Sequence, residues 1–534
     1  MFMKAIIKHK NVQKILLTIM AVILVIAALF VMWWKGVFID RNIAWLESEG
    51  IYEGGYYKLE NRKLSVYKYD TDIDLNKVSV DDDVFQSSLT PIWSTEKNWF
   101  VQNVLIEDVD RDGVEELVAL VWKHGSFGKH MPDWVKNNDI RLEQHIFIFK
   151  WDESADDKMR NLWMSSTIGY EIEGINRYGA DKVLVNDKDG NSRVWYWEDF
   201  GLKLAGDAKE RNAKFICAGD NLIHEWMYKY GDEDNSQKES RVDFAFDSYY
   251  SHIKDYINEA DYKVVCQETV LTDDENMLSD YPRFAVPSNV GRALSNAGFN
   301  VFLLANNHIL DKGMAGVNST YDALIDKEGN KDSGNAICLG ATSQESYEED
   351  FRRGIHFLVK NNVRVALLDY TESTNGMPEP EGYEYLVERI GNHERVINQI
   401  RYARNRADAV IVFVHWGEEY MVEPSDSQKI HAELLADNGV DVIVGSHPHV
   451  LQPTDVLGGN SGQKTIVYYS LGNFVSGQDK EGTEIGGLAD FVVEVDMSGN
   501  VEIKDNGITQ TYMHQDKDEC AVYLYDEYIE DVHN

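Results

Sequence analysis

The sequence predicts an α/β layered fold for the carboxyl-terminal half of the chain, behind a small β domain and one apolar amino-terminal helix. Three observations carry this expectation. Short apolar runs at 214–220, 263–268, 301–308, 409–416 and 440–450 read as buried strands. Helical periodicities at 249–259, 288–297, 316–325, 392–406 and 426–438 lie between or beside them, and alternation of strand with helix indicates α/β layering. Lys360-Asn361-Asn362-Val363, between apolar runs at 355–359 and 364–370, reads as a hairpin turn, so the sheet is mixed; runs at 465–470 and 488–495 extend it.

From the amino terminus, residues 15–34 carry no charge and are long enough to span a bilayer as a helix. Lys4, Lys8, Lys10 and Lys14 precede this run, and Trp33 and Trp34 close it where interfacial aromatics belong. The expected topology is a cytoplasmic tail at 1–14, a transmembrane anchor at 15–34 and all later domains outside the cell. The run is longer than a signal-peptide core, and Met32-Trp33-Trp34-Lys35 lacks the small residues of a cleavage site. Residues 35–97 are polar and mixed and are expected to form a stalk, with a hairpin at 56–70 and a solvated acidic run at Asp81-Asp82-Asp83.

Residues 98–206 are expected to form the small β domain. Strands at 100–106 and 117–122 flank Asp108-Val-Asp110-Arg-Asp112-Gly113, followed by Glu115 and Glu116. This spacing crowds carboxylates onto a tight loop, as in a calcium site, but the bidentate glutamate of an EF-hand would fall at Ala119. The flanking strands are similar to the calcium loops of FG-GAP-type β repeats, which implies calcium held by Asp108, Asp110, Asp112 and Glu116. The alternative is an acidic hairpin turn that needs no ion. A further strand follows at 145–151, and a second copy of the unit at 181–197 keeps its strands without the acidic triplet.

The chain has 534 residues, with 52 basic against 90 acidic side chains and a net charge of −38. Such a balance is repelled by nucleic acid and argues against a DNA or RNA partner. Four cysteines in a chain of this length make no disulfide scaffold, and Cys217 and Cys266 fall inside predicted core strands.

Each predicted strand of the large domain ends in a potential metal ligand: Asp220, Glu268, Asn307 with His308, His415, and His447 with His449. Residues two apart in an extended segment point the same way, so both imidazoles of His447-Pro-His449 are expected to face one point past the strand end. Imidazole, carboxylate and amide oxygen form a mixed N/O set that suits Mn, Fe or Zn, and a carboxylate such as Glu268 can bridge two ions.

In order, Gly219-Asp220, Gln267-Glu268, Ala305-Asn-Asn-His-x-x-Asp311, His415-Trp-Gly-Glu418, Gly445-x-His-Pro-His449 and Tyr469-Ser-Leu-Gly-Asn473-Phe resemble the CapA capsule-synthesis family of the poly-γ-glutamate system. That family is similar to the calcineurin-like metallophosphoesterases. The resemblance covers about 214–478 and implies a layered α/β/β/α sandwich across 212–480, with strands and a tail at 481–534. It implies metal ligands at Asp220, Glu268, Asn307, His415, His447 and His449, with His308 as general acid; Glu418, three residues after His415, reads as an orienting group or base, or as a residue that only fixes the loop. The chain departs from the phosphoesterase pattern where Asn221-Leu222 follows Asp220 and where the bridging carboxylate is Glu268. The implied role is synthesis, export or anchoring of poly-γ-glutamate or a similar anionic capsule polymer, with that polymer and other capsule-synthesis membrane proteins as partners. Two forms of the role stay open: a metal-dependent hydrolase, and a non-catalytic factor that binds or tethers the polymer.

Overall fold

In the computed structural model the described residues are all except 1, 38, 40–42, 54, 69–72, 80–89, 129–130, 132–134, 136–137, 157, 230–243, 326–335, 461, 517–518 and 534; side chains of 2–13 and 530–533 are also left aside. The acidic run Asp81-Asp82-Asp83 lies outside the described residues. The chain divides into two units: Met1–Tyr69 with Leu89–Arg177 and Asp181–Ala208, and Asp70–Ser88 with Tyr178–Ala180 and Lys209–Asn534.

The first unit opens on the helix Phe2–Trp34, whose segment Lys14–Trp34 is long and apolar enough to cross a membrane. Three four-stranded antiparallel sheets follow, each with neighbouring strands in chain order. They are β1 (Ser48–Tyr52), β2 (Gly55–Glu60), β3 (Lys63–Lys68) and β4 (Thr90–Ser94); β5 (Phe100–Glu107), β6 (Glu116–His124), β7 (Leu142–Trp151) and β8 (Met159–Met164); and β9 (Ile172–Arg177), β10 (Lys182–Asp187), β11 (Ser192–Glu198) and β12 (Gly201–Asp207).

The expected stalk at 35–97 is thus corrected: 48–94 contains a sheet. Its alternating residues pair across strands, Tyr57 opposite Val66 and Leu59 opposite Leu64, and all four are buried. They meet Leu117, Ala119 and Val121 of β6 and Phe147 and Phe149 of β7 in one core. The intervening Val118, Leu120, Ile146 and Ile148 pack against Ile172, Ile175, Val183 and Val185 of the third sheet. The middle sheet is buried on both faces, which explains the unbroken apolar run of β6.

The loop between β5 and β6 brings three of the four expected calcium ligands together and adds a cation of its own. Ligand atoms of Asp108, Asp110 and Glu116 converge within 4.8 Å, but the Lys150 ammonium from β7 stands among the carboxylates. Its Nζ lies 2.9 Å from Asp110 Oδ2, 2.6 Å from Asp112 Oδ1 and 2.7 Å from Glu116 Oε1. Asp108 instead accepts the N–H groups of Asp112 and Gly113, at 3.1 and 2.9 Å. The Lys150 ammonium thus pairs with three of the four carboxylates expected to hold calcium. Burial pushes the Glu116 carboxyl up, against the pull of Lys150.

The second unit is a mixed α/β fold. In chain order its strands are β13 (Asn212–Leu222), β14 (Tyr262–Gln267), β15 (Val270–Thr272), β16 (Ala285–Pro287), β17 (Val301–Leu303), β18 (Ile337–Leu339), β19 (His356–Lys360) and β20 (Val363–Thr371). There follow β21 (Ala409–His415), β22 (Val442–Ser446), β23 (Thr454–Gly458), β24 (Lys464–Tyr468), β25 (Asn473–Ser476), β26 (Ile485–Val495), β27 (Val501–Gln515) and β28 (Cys520–Leu524). One sheet runs β18-β17-β14-β13-β26-β27-β28, with β25 also paired to β13; another runs β19-β20-β21-β22-β24-β23. The strands β13, β14 and β17 are parallel neighbours, as are β20, β21 and β22, while β19 and β20 form the predicted hairpin.

Phe215, Cys217, Val264 and Cys266 of the first of these sheets share one core with Val365, Leu367, Ile411 and Phe413 of the second. The opposite faces are covered by helices. Ile216 and Val265 pack with Val290 and Leu294 of the helix Asn289–Ala297 and Val317 of the helix Gly313–Leu324. Leu368 and Val412 pack with Val396 and Ile400 of His393–Arg404 and Leu435 of Asp426–Asp437. Ser425 and Gln428 close the start of that last helix as a capping box, satisfying backbone N–H groups the helix leaves bare. The predicted helix at 249–259 is a 3-10 helix at Asp247–Ile253 running into a short turn of α-helix at Lys254–Ile257. The tail supplies β27 and β28 and the helix Tyr525–His533. All four cysteines are free thiols.

Candidate metal centre

The parallel strands β13, β14, β21 and β22 end on one side, and each brings its last residues to the same place. Asp220 arrives in a tight backbone crossing: its N–H donates to Gly472 O at 3.0 Å. A Cβ on Gly219 would stand 1.9 Å from that same oxygen, and one on Gly445 would stand 2.0 Å from Tyr469 O. Glycine is therefore required on both ligand-bearing strands because backbone passes within contact distance. The Asn306-Asn307-His308 turn is held by Asp369, whose Oδ2 accepts the N–H groups of Leu304 and Ala305 at 3.0 and 2.9 Å.

The six expected ligands come together. His415 Nε2 lies 3.0 Å from Asn307 Oδ1, 3.1 Å from His447 Nδ1 and 3.6 Å from Glu268 Oε1. His415 Nδ1 lies 3.7 Å from Asp220 Oδ1. His449 Nδ1 is 3.3 Å from Asp220 Oδ2, and its Nε2 is 3.9 Å from Glu268 Oε1. Two three-residue groups result, Asp220 with Cys266 and His415, and Glu268 with His447 and His449, each with ligand atoms within 4.8 Å of one another. Cys266 joins the first with Sγ 3.8 Å from His415 Nδ1.

The histidine pair reaches this point differently from the expectation. His447 and His449 have φ of 98° and 61°, so they sit in left-handed backbone and not in an extended segment. Non-glycine residues held there cost energy and mark sites where the surroundings enforce the shape. The bend lets the His447 N–H donate to Asp220 Oδ2 at 3.0 Å while its ring turns to His415.

Burial and charge set the protonation. Burial raises the Asp220 carboxyl, but the hydrogen bond from His449 and the nearby imidazoles outweigh it and hold it at about 2. Burial and the Asp220 charge push Glu268 well above the usual carboxylate range. Burial holds His415 well below 6.5 and His447 at about 4, so both rings are neutral with lone pairs to offer. Burial opposes a charge on His449, yet Glu268 and Asp220 together raise it to about 9.

This centre fits a divalent ion. Asp220 and Glu268 are fully buried, and Asp220 Oδ1 and both oxygens of Glu268 lack any hydrogen-bond partner. Buried ionised carboxylates persist only when paired or bound to a metal. The facing donors are neutral imidazole, amide oxygen and carboxylate, the set suited to Mn, Fe or Zn.

Of the two residues expected to do proton chemistry, His308 is close enough for its charge to act on His415 and His447. His308 Nδ1 lies 2.8 Å from Asp311 Oδ2, which also accepts the Phe284 N–H at 2.7 Å. Glu418 is exposed, whereas the charge of its neighbour Glu419 acts on Glu268, His447 and His449. Other residues join that the sequence did not single out as ligands. Asn473 Oδ1 meets His449 Nδ1 at 3.0 Å, and Ser446 Oγ meets His415 Nδ1 at 2.9 Å. Asn473 lies in the Leu-Gly-Asn motif, which was the available signal. The place of an Asp-x-His histidine is taken by Leu222; His224 Nδ1, two residues on, accepts the Gly477 N–H at 3.1 Å.

Residues 214–478 match the family model described as bacterial capsule synthesis protein PGA_cap. The PGA biosynthesis protein CapA of Bacillus subtilis (strain 168) is 30% identical over 260 residues, which is 48% of this chain and 64% of that protein. The capsule biosynthesis protein CapA of Bacillus anthracis is 31% identical over 278 residues, 49% of this chain and 60% of that one. The match thus spans somewhat under two thirds of those relatives' length. Among solved structures, a putative 5′-nucleotidase from Staphylococcus aureus aligns with a TM-score of 0.35 and 12% identity, over 56% of this chain and 54% of that one. No role is carried over from a likeness that loose.

Proposed function

We propose, because the domain at 214–478 is of the bacterial capsule synthesis family, that this chain acts in making, exporting or anchoring poly-γ-glutamate or a similar anionic surface polymer through a divalent-metal centre. One observation carries the metal half of this reading: the buried, unpartnered oxygens of Asp220 and Glu268, faced by His415, His447, His449 and Asn307. We read the two facing sheets with helices outside as the calcineurin-like α/β/β/α arrangement. The helix Phe2–Trp34 serves as an uncleaved anchor, with its lysine-rich start in the cytoplasm and both later units outside.

When bound, an ion of the Mn, Fe or Zn type supplies a Lewis acid for a developing negative charge. The protein's own groups do the rest. Asp220 and Glu268 hold negative charge away from water, and neutral His415 and His447 offer lone pairs. His308 Nδ1 lies 2.8 Å from the Asp311 carboxylate, which orients the ring and steadies the imidazolium whose Nε2 proton a leaving group would take. We read His308 as the general acid of a hydrolytic or transfer step, supported by its contact with Asp311. The second reading, a metal-dependent polymer binder without catalysis, is favoured by Leu222 standing where the phosphoesterase pattern has histidine.

The test is complementation of a capsule-deficient host. Loss of polymer with His308→Ala, at normal protein level and metal content, supports catalysis. Loss only with the paired His447→Ala/His449→Ala change supports the binder. Full capsule with both changes removes the centre from the function.

A further inference from the structure

We propose that Lys480 forms a carboxylate-binding subsite beside the candidate metal centre, seated on the ring of Tyr420. The inference rests on the reading that an anionic polymer is the substrate, and it names the residue that receives one of its carboxylates.

Lys480 Nζ lies 3.9 Å from the centroid of the Tyr420 ring, whose own centroid is 6.0 Å from that of the His449 ring. Tyr420 is therefore the spacer between a metal-ligand histidine and a surface cation. It is held on two sides. Its N–H donates to Pro448 O at 2.7 Å, within the turn that carries both histidines. Its hydroxyl accepts from Gln478 Nε2 at 3.1 Å. Gln478 Oε1 in turn accepts from Asn473 Nδ2 at 2.9 Å, and Asn473 Oδ1 meets His449 Nδ1 at 3.0 Å. A closed circuit of contacts fixes the aromatic seat relative to the centre.

The Lys480 side chain is exposed, and among the described residues it makes no ion pair. An ammonium over an aromatic face is held by the ring's negative quadrupole while its other side stays open to solvent. Such a cation is positioned without being neutralised, so it keeps its charge for an incoming anion. This matters in a chain of net charge −38, because a polycarboxylate approaching the centre also meets Glu419. A cation fixed beside the centre offsets that repulsion at one defined place. The ligand class it selects has a carboxylate a short reach from the group presented to the metal, as every residue of a polyglutamate does.

The test measures binding of a short synthetic γ-linked oligoglutamate to the metal-loaded full chain in detergent, for the parent protein, Lys480→Gln, Lys480→Arg and Lys480→Glu. The expected result is a Kd raised about tenfold by Lys480→Gln, more by Lys480→Glu, and close to the parent value for Lys480→Arg, with metal content and melting temperature unchanged throughout. Binding by Lys480→Gln equal to that of the parent overturns the subsite while leaving the polymer reading intact. Absence of binding by the parent overturns the polymer reading and the subsite with it. A loss that Lys480→Arg fails to restore also overturns the subsite, since charge at that place is its whole content.

Discussion

Glu268 is fully buried, carries no hydrogen-bond partner on either oxygen and lies against another carboxylate, Asp220. Asp220 is relieved by His449 and by the His447 amide; Glu268 waits on a cation. Glu268→Gln should therefore separate stability from metal binding. Burial and Asp220 push the Glu268 carboxyl up towards its neutral form, which glutamine matches in charge and shape, so the metal-free protein should keep its stability to within about 1 kcal/mol. The same change should abolish most of the rise in melting temperature that Mn or Zn gives the parent, since that rise reports binding to the native state alone. A variant much less stable than the parent in chelator would count against the reading. Far from this centre, His145 gives a second test. Its ring is fully buried between two carbonyls, Ser165 O and Gly125 O, each at 3.0 Å, and burial lowers it to about 4. Unfolded, it titrates near about 6.5, so between those values the folded chain binds fewer protons than the unfolded one. Its contribution is complete above pH 6.5 and is lost as the pH falls towards 4. His145→Gln should flatten the fall in melting temperature over that window; an unchanged slope would assign the acid sensitivity elsewhere. At this scale the six side chains that converge were legible in the sequence, because each stands at or just past the end of an apolar run. The influence of Glu419 on these residues was not legible, because the bend at Gly417, with φ of 90°, does not show in the letters.

Among the elements, the loop between β5 and β6 shows a contact that a local motif does not display. The triplet Asp108, Asp110 and Asp112 has calcium spacing, but its cation arrives from Lys150 on β7, forty residues from Asp110 and invisible to any local pattern. Lys150 is 4% exposed and Glu116 is fully buried, so the cluster is an internal ion-pair network. Lys150→Met should cost about 3–5 kcal/mol, as removing one partner of a buried pair does. It should also create a dependence on millimolar calcium that the parent lacks, because three carboxylates are then left to share a vacant centre. Thermal unfolding with and without calcium reads both effects. A parent protein stabilised by calcium as strongly as the variant would sink the idea that lysine substitutes for the ion. The glycines tell the opposite story. Gly219 and Gly445 were legible as parts of motifs, and the structure supplies their cause in backbone oxygens 1.9 and 2.0 Å from the missing Cβ atoms. The histidine turn was half legible: convergence of His447 and His449 was expected from an extended segment, and it is achieved by positive φ.

For the whole molecule, the sequence displayed the α/β half well because its strands are buried on both faces and read as unbroken apolar runs. The region 48–94 was taken for a stalk because its strands mix aromatic and charged residues, and their burial depends on a face of β6 and β7 that no local pattern reveals. Charge is the property that spans every element, and it governs how a polymer is met. At low ionic strength, with a Debye length of about 30 Å at 0.01 M, an anionic polymer senses the net charge of the chain and is repelled. At about 0.15 M the length falls to about 8 Å, which screens distant acidic residues but leaves a contact between a carboxylate and Lys480 or a buried metal largely intact. At about 1 M it is about 3 Å, and the exposed contact weakens as well. Affinity for a γ-linked oligoglutamate should therefore rise and then fall as salt increases, with its maximum between these limits. Ordinary binding through a broad basic patch would fall monotonically from the lowest salt, and that outcome would refute a local cationic site on an acidic protein. Chelator should remove most of the affinity at the maximum, because the buried ion is then the larger of the two attractions. The residue left after chelation should be the part that Lys480→Gln abolishes.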